Sequence, residues 1–168
     1  MSDAQPAVAL RPATESDLPL LGRVFASTRA EELLPLPWSD EHKRVFLAQQ
    51  FAAQSADYAR NYPDASFDVV VVDGEPAGRL ILDRGERELH IVDIALLPEH
   101  RGRGIGTRLL RPLLDEADRG DLTVAIYVES SNRALSLYRR LGFAAVAESG
   151  VYFRMERPPG GGQAKIAS

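Results

Sequence analysis

The run Arg101-Gly102-Arg103-Gly104-Ile105-Gly106-Thr107 decides how this chain is read. An apolar, strand-like segment precedes it, Leu89-His90-Ile91-Val92-Asp93-Ile94-Ala95-Leu96-Leu97, closed by Pro98. Apolar residues at helical spacing follow it: Leu109, Leu110, Leu113, Leu114 and Ala117. The order is therefore strand, glycine-rich turn, helix. Glycine admits backbone conformations closed to other residues and lets a ligand approach closely. The start of a helix offers unpaired N–H groups and the positive end of its dipole. Together these make a phosphate or pyrophosphate site, with Arg101, Arg103 and Arg108 adding positive charge. The competing reading is a tight strand-to-helix connection. A P-loop fits poorly, because Gly106 is followed by Thr107 and Arg108 rather than Lys and Ser/Thr. A dinucleotide fingerprint also fits poorly, because Gly102, Gly104 and Gly106 alternate.

Working outward, Val8–Arg11 begins a short strand, and Thr14 or Ser16 can cap a helix carrying Leu18, Leu21, Val24 and Phe25 to about Leu33. Ser39 caps a second helix, which stops before Pro63. Phe67–Val72 and Glu75–Leu82 read as strands joined by a hairpin turn at Asp73-Gly74, and a further turn at 83–87 leads into the strand at 88–97. The spacing predicts an antiparallel meander. The helix behind the glycine turn ends near Gly120, and Pro112 inside it predicts a kink. Leu122–Val128 is a strand best placed parallel to 89–97 by a right-handed crossover. Asn132–Leu141 reads as a short helix, and Val146–Ala147 and Val151–Met155 as the last strands.

A chain of 168 residues suits one domain, expected over 8–157, with loose tails at 1–7 and 158–168. Hydrophobic content of 45% and charged content of 26% indicate a soluble globular protein. The net charge of −4 gives no footprint for nucleic acid. The absence of cysteine excludes disulfides, a thiol nucleophile and thiolate metal sites. His42, His90 and His100 are scattered, so no metal site is expected. No apolar run is long enough to span a membrane, and the N-terminus lacks a signal-peptide pattern, so the expected compartment is the cytoplasm.

The glycine turn resembles the pyrophosphate loop of the GNAT superfamily of N-acetyltransferases, Arg/Gln-x-x-Gly-x-Gly/Ala, at Arg101, Gly104 and Gly106. The lead-in Ile94-Ala95-Leu96 and Pro98–Gly102 is similar to the family's as well. A second block agrees: Val128-Glu129-Ser130-Ser131-Asn132, then Leu137-Tyr138-Arg139-Arg140-Leu141-Gly142-Phe143. The resemblance is sharp over 89–143. It implies an α/β (α+β) fold with a mixed, mainly antiparallel, twisted sheet, flanking helices and a central parallel strand pair that splays. It also implies acetyl-CoA as co-substrate, an amine-bearing small molecule or peptide as acceptor and, by analogy, a homodimer.

By the same resemblance, Ile94, Ala95 and Leu96 offer backbone groups to the pantetheine arm, and Gly102, Arg103, Gly104, Ile105, Gly106 and Thr107 hold the pyrophosphate with Arg101. Asn132 can bond the pantetheine amides; its plainer role is a helix cap. Tyr138 becomes the acid for the departing thiolate; its plainer role is a buried anchor. The amine's base is left open among His90, Asp93 and Glu129, with His90 and Asp93 on opposite sides of their strand. The family's glutamate is absent both at His90 and at Tyr127, and the proton can also leave to solvent. Glu31, Glu32, Trp38, Gln50, Gln54 and Tyr152 are candidate walls of the acceptor entrance. Two other readings compete: a non-catalytic acyl-CoA-binding module, and an acyltransferase for a larger acyl group.

Overall fold

The computed structural model describes residues 4–161. Parts of both expected tails, 1–3 and 162–168, lie outside the described residues. Among the described residues, seven strands form one sheet in the order β1-β2-β3-β4-β5-β7-β6. They are β1 (Val8–Pro12), β2 (Ser66–Val72), β3 (Glu75–Arg84), β4 (Glu88–Leu96), β5 (Thr123–Glu129), β6 (Ala144–Ser149) and β7 (Tyr152–Arg157). The helices are α1 (Leu18–Leu33), α2 (Asp40–Asn61), α3 (Ile105–Arg119) and α4 (Leu135–Arg140). The pair β4–β5 is parallel, whereas β1–β2, β5–β7 and β6–β7 are antiparallel. This is the mixed sheet the sequence implied. The parallel register runs from Glu88↔Thr123 to Ile91↔Ile126; β4 continues to Leu96 and β5 to Glu129.

The chain forms two compact units. The first comprises Met1–Ile81 and Ile94–Arg103. There a 3-10 turn at Glu15–Asp17 opens into α1, and the Thr14 N–H donates to the Asp17 carboxylate at 2.8 Å. Leu20 and Val24 of α1 and Val69 of β2 are buried together, with Leu21, Val71, Ala95 and Leu97 packed around them. The Ser39 hydroxyl caps α2 by accepting the His42 N–H at 3.0 Å. Phe51 of α2 lies 5.7 Å from Phe25 of α1, ring centre to ring centre. The hairpin turn falls at Asp73-Gly74, both with positive φ, as its Asp-Gly sequence predicts.

The second unit comprises Leu82–Asp93 and Gly104–Ser168. Ile105, Leu109, Leu110, Leu113, Leu114 and Ala117 form the buried stripe of α3, which packs on β5. Burying each of the larger side chains stabilises by about 1.5–3 kcal/mol before entropy. Leu89, Ile91, Val124, Ile126, Val128 and Met155 of the sheet are also buried. The helix runs on across Pro112. Pro112 is on the exposed side, where water can replace the missing amide.

Three expectations need adjustment. Asn132–Ala134 is a turn, and α4 starts only at Leu135. The last strands are longer than read, at 144–149 and 152–157. Within the expected C-terminal tail, the Gly160 N–H donates to the Asp118 carboxylate at 2.8 Å. That carboxylate also takes a bidentate contact from the buried guanidinium of Arg157 at 2.8 and 3.2 Å.

Candidate active site

In the first unit, β4 ends at Leu96 and the chain turns through Pro98–His100 into Arg101. The Leu97 N–H pairs with the Ala77 carbonyl at 2.8 Å, which ties this end of β4 to β3. Gly78 is required there: a Cβ at that position would lie 2.2 Å from the Ala95 carbonyl oxygen. The Leu96 carbonyl is turned instead to a side chain, accepting Arg101 Nε at 3.0 Å. Arg101 Nη2 donates to Ser27 Oγ at 3.1 Å. The guanidinium is thus used to brace the end of β4, beside the backbone groups expected to meet a pantetheine arm. Ala95 packs into the Leu20–Val24–Val69 core, so any ligand contact it makes is through the main chain. Gly102 has φ 72°, and an added Cβ would meet nothing within 4 Å. Arg103 Nη1 lies 3.5 Å from His100 Nδ1.

Of the expected acceptor residues in this unit, Gln54 is engaged in structure: its Oε1 accepts Arg79 Nη2 at 2.6 Å. Trp38 stacks on His42 at 4.2 Å and meets Phe46 edge-on at 5.2 Å. Trp38 lies just before α2, and Gln54 lies well inside it. Glu31 is exposed near the end of α1. An apolar cavity of about 250 Å³ in this unit is lined by Leu18, Leu21, Phe51, Tyr58 and Phe67 with Arg79, the partner of Gln54.

In the second unit, α3 begins at Ile105 behind Gly104, whose φ of 75° places it in the left-handed region. No side chain caps this end and no acidic residue occupies its first turn. The N–H groups of Ile105, Gly106 and Thr107 precede the first intrahelical bond, Arg108 N–H to the Gly104 carbonyl at 3.2 Å. An added Cβ on Gly104 meets nothing within 4 Å, so the space over the turn is open. Gly106 has a different role, since a Cβ there would touch Leu137 of α4 at 3.3 Å. Open donors, a helix dipole and no competing carboxylate suit an anion such as a pyrophosphate.

Tyr138 is buried in α4, its ring edge-on to Phe143 at 5.7 Å. Burial, and then the negative charge of Asp93, push its phenol up to about 12. Asp93 therefore acts on the Tyr138 side of β4. His90 faces the other way and lies edge-on to Tyr127 of β5 at 5.8 Å, as the two-residue period requires. Burial lowers the His90 pKa; Glu88 and Asp83 oppose that shift and Arg154 reinforces it. The shift favours the neutral imidazole. Glu129 accepts the Tyr152 hydroxyl at 3.3 Å, so an expected base candidate and an expected wall residue are joined to each other. Asn132 Oδ1 accepts the Ala134 N–H at 2.8 Å, which makes it the brace of a turn rather than a helix cap.

Arg154 of β7 was not singled out by the sequence. Its Nη1 donates to the Tyr127 oxygen at 3.2 Å, its Nη2 to Glu88 and its Nε to Glu156 at 3.3 Å. Its charge sits 5.4 Å from the Tyr127 ring centre. No local pattern marks it, because the pairing Tyr127↔Arg154 exists only once β7 has inserted between β5 and β6.

No group of side chains suited to a metal ion occurs among the described residues, and none of their helices is long and apolar enough to cross a membrane. Residues 27–143, more than half of the chain, match the acetyltransferase (GNAT) family. The N-alpha-acetyltransferase RimI of Mycobacterium tuberculosis is 40% identical over 70 residues, 42% of each chain. The mycothiol acetyltransferase of Clavibacter sepedonicus is 40% identical over 86 residues, 49% of this chain and 28% of that one. The aligned stretches thus span less than half the length of either relative. Among solved structures, the PaiA N-acetyltransferase of Thermoplasma acidophilum in complex with coenzyme A superposes with a TM-score of 0.68. That match has 20% identity and covers 90% of this chain and 99% of the other, a likeness of fold. By the match over most of its length, this chain belongs to the acetyltransferase (GNAT) family.

Proposed function

We infer that this protein transfers the acetyl group of acetyl-CoA directly to a primary amine of a small molecule or peptide. The observation that carries the reading is the turn from Gly102 to Thr107: two left-handed glycines with open space above them, leading into an uncapped helix with no acid in its first turn. The main-chain N–H groups of this turn receive the pyrophosphate, and the backbone of Ile94, Ala95 and Leu96 meets the pantetheine arm. Arg101 and Asn132 act indirectly, by bracing the end of β4 and the turn before α4. Family membership and the N-acetyltransferase relatives support the same reaction class.

In this reaction the amine lone pair forms the C–N bond at the thioester carbonyl, and the carbonyl electrons move onto oxygen. They return to re-form C=O as the C–S bond breaks and its pair leaves with sulfur. Tyr138 donates a hydrogen bond to that sulfur as it gains charge. Raised to about 12, its phenol is fully protonated at neutral pH. An alkyl thiolate, with a conjugate acid near about 8.5, is too weak a base to strip it outright. The phenol therefore stabilises the developing charge and is ready to share its proton. The nitrogen becomes acidic once bonded to the carbonyl carbon, and its proton goes to the neutral imidazole of His90. Asp93 serves Tyr138, and Glu129 holds Tyr152 in place.

Thiol release from acetyl-CoA across a panel of amines, amino acids and peptides, with mass detection of the acetylated product, tests the reading. Turnover on at least one acceptor is expected. Acetyl-CoA binding by calorimetry with no product on any acceptor would move the protein to the class of acyl-CoA-binding modules.

A further inference from the structure

On one face of the second unit, four side chains from three strands form a continuous chain of contacts: Glu88 and His90 of β4, Tyr127 of β5 and Arg154 of β7. The register dictates the grouping. Glu88 and His90 stand opposite Thr123 and Ala125, and Tyr127 stands opposite Arg154. Arg154 can only donate, so at 3.2 Å the Tyr127 oxygen is its acceptor. The phenol proton is thereby directed away from Arg154. The same guanidinium spends its remaining fork on Glu88 and Glu156. Tyr127, held by a hydrogen bond and by the charge over its ring, presents its edge or face to the imidazole at 5.8 Å.

We propose that Arg154 is a positioning residue for acetyl transfer: through Tyr127 it fixes the seat of His90, and with Glu88 it balances the charge around that imidazole. The proposal rests on the reading of His90 as the proton acceptor. The charged and titratable groups around His90 in this unit are Glu88 on its own strand, Asp83 on β3, Tyr127 on β5, and Arg154 with Glu156 on β7. Arg154 is half-buried, which limits screening of its charge by solvent. Removing it takes away a cation near His90 and also releases Glu88 from its ion pair. Both changes favour the protonated imidazole. Removing the Glu88 charge does the reverse.

The test uses four proteins: wild type, Arg154→Gln, Arg154→Lys and Glu88→Gln. Proton NMR titration follows the His90 ring, assigned by loss of its signal in His90→Gln, and kcat/KM is measured against pH with the best acceptor. Arg154→Gln is expected to shift the His90 titration and the acidic limb of kcat/KM to higher pH together. Glu88→Gln, which preserves shape, is expected to shift both to lower pH. Arg154→Lys keeps the charge but loses the fork, so its limb stays near the wild-type position while kcat at the plateau falls about tenfold or more. Opposite shifts in the two neutralised variants are not produced by a merely structural role. Unchanged His90 titrations, shifts of one sign in both variants, or a limb that ignores the NMR shift each overturn the proposal. The NMR arm needs no turnover. A wild-type enzyme that acetylates amines while its limb ignores His90 would leave the acetyltransferase reading intact and refute only this one.

Discussion

Replacing Gly78 by alanine puts a methyl carbon 2.2 Å from the Ala95 carbonyl oxygen and 3.0 Å from Leu96 Cα. An unstrained carbon-to-oxygen contact is about 3.3 Å or longer, so β3 and β4 must part locally by roughly 1 Å. The Leu97 N–H to Ala77 carbonyl bond, 2.8 Å in the native protein, would stretch beyond hydrogen-bond range. Overpacking costs about 1–3 kcal/mol, and a lost backbone bond about 1. The intrinsic advantage of alanine over glycine returns about 0.5–1 kcal/mol. The expected net loss is about 1–3.5 kcal/mol, or roughly 2–14 °C in Tm for a chain of this size. Urea unfolding of Gly78→Ala reads it. Gly22→Ala serves as the contrast: its Cβ meets Phe51 at 3.8 Å, ordinary contact, inside α1. It should stabilise the protein by about 0.5–1 kcal/mol. Because Ala95 and Leu96 must move, Gly78→Ala should also weaken acetyl-CoA binding where Gly22→Ala does not. A Gly78→Ala protein as stable as wild type would refute the close approach of the two strands.

Gly104→Ala forces a left-handed backbone on alanine, at a cost of about 1–2 kcal/mol, yet its methyl group meets only open space. Acetyl-CoA affinity measured by calorimetry should fall by far more than this modest loss of stability implies. Asp118→Asn removes the bidentate partner of the buried Arg157 and should cost about 2 kcal/mol in urea unfolding, below the range for a wholly buried pair because Asp118 is one-third exposed. The Asp17 carboxyl is held well below its ordinary value by Arg11 and the Thr14 N–H. A depressed folded-state pKa means stability present above the unfolded value, about 3.9, and lost as pH falls below it. The stability advantage of wild type over Asp17→Asn, followed by thermal unfolding, should therefore shrink steadily from pH 5 downward.

What could be read in the sequence was what is local. The stripe from Leu109 to Ala117, the Ser39 cap and the Asp73-Gly74 hairpin each depend on residues a few positions apart, and each is where the spacing placed it. The two faces of β4 were also legible, since side-chain alternation sends His90 toward Tyr127 and Asp93 toward Tyr138. The plainer role weighed for Asn132, a helix cap, gives way to a turn brace, because both use the same side-chain oxygen on a nearby N–H; the partner, Ala134, decides. Arg154 stayed hidden because its partners are 27 and 66 residues away and meet it only through strand order. The bond between Gln54 and the buried Arg79, 25 residues on, was also hidden. That pairing has no signature in spacing.

The most direct test of the account is acetyl-CoA turnover by wild type and Tyr138→Phe with the best acceptor of the panel, alongside acetyl-CoA affinity for both. Wild type is expected to release thiol in an amine-dependent way, and Tyr138→Phe to lose about a hundredfold or more in kcat with affinity retained. Full activity without the hydroxyl, or bound acetyl-CoA that wild type never turns over on any amine, would contradict it.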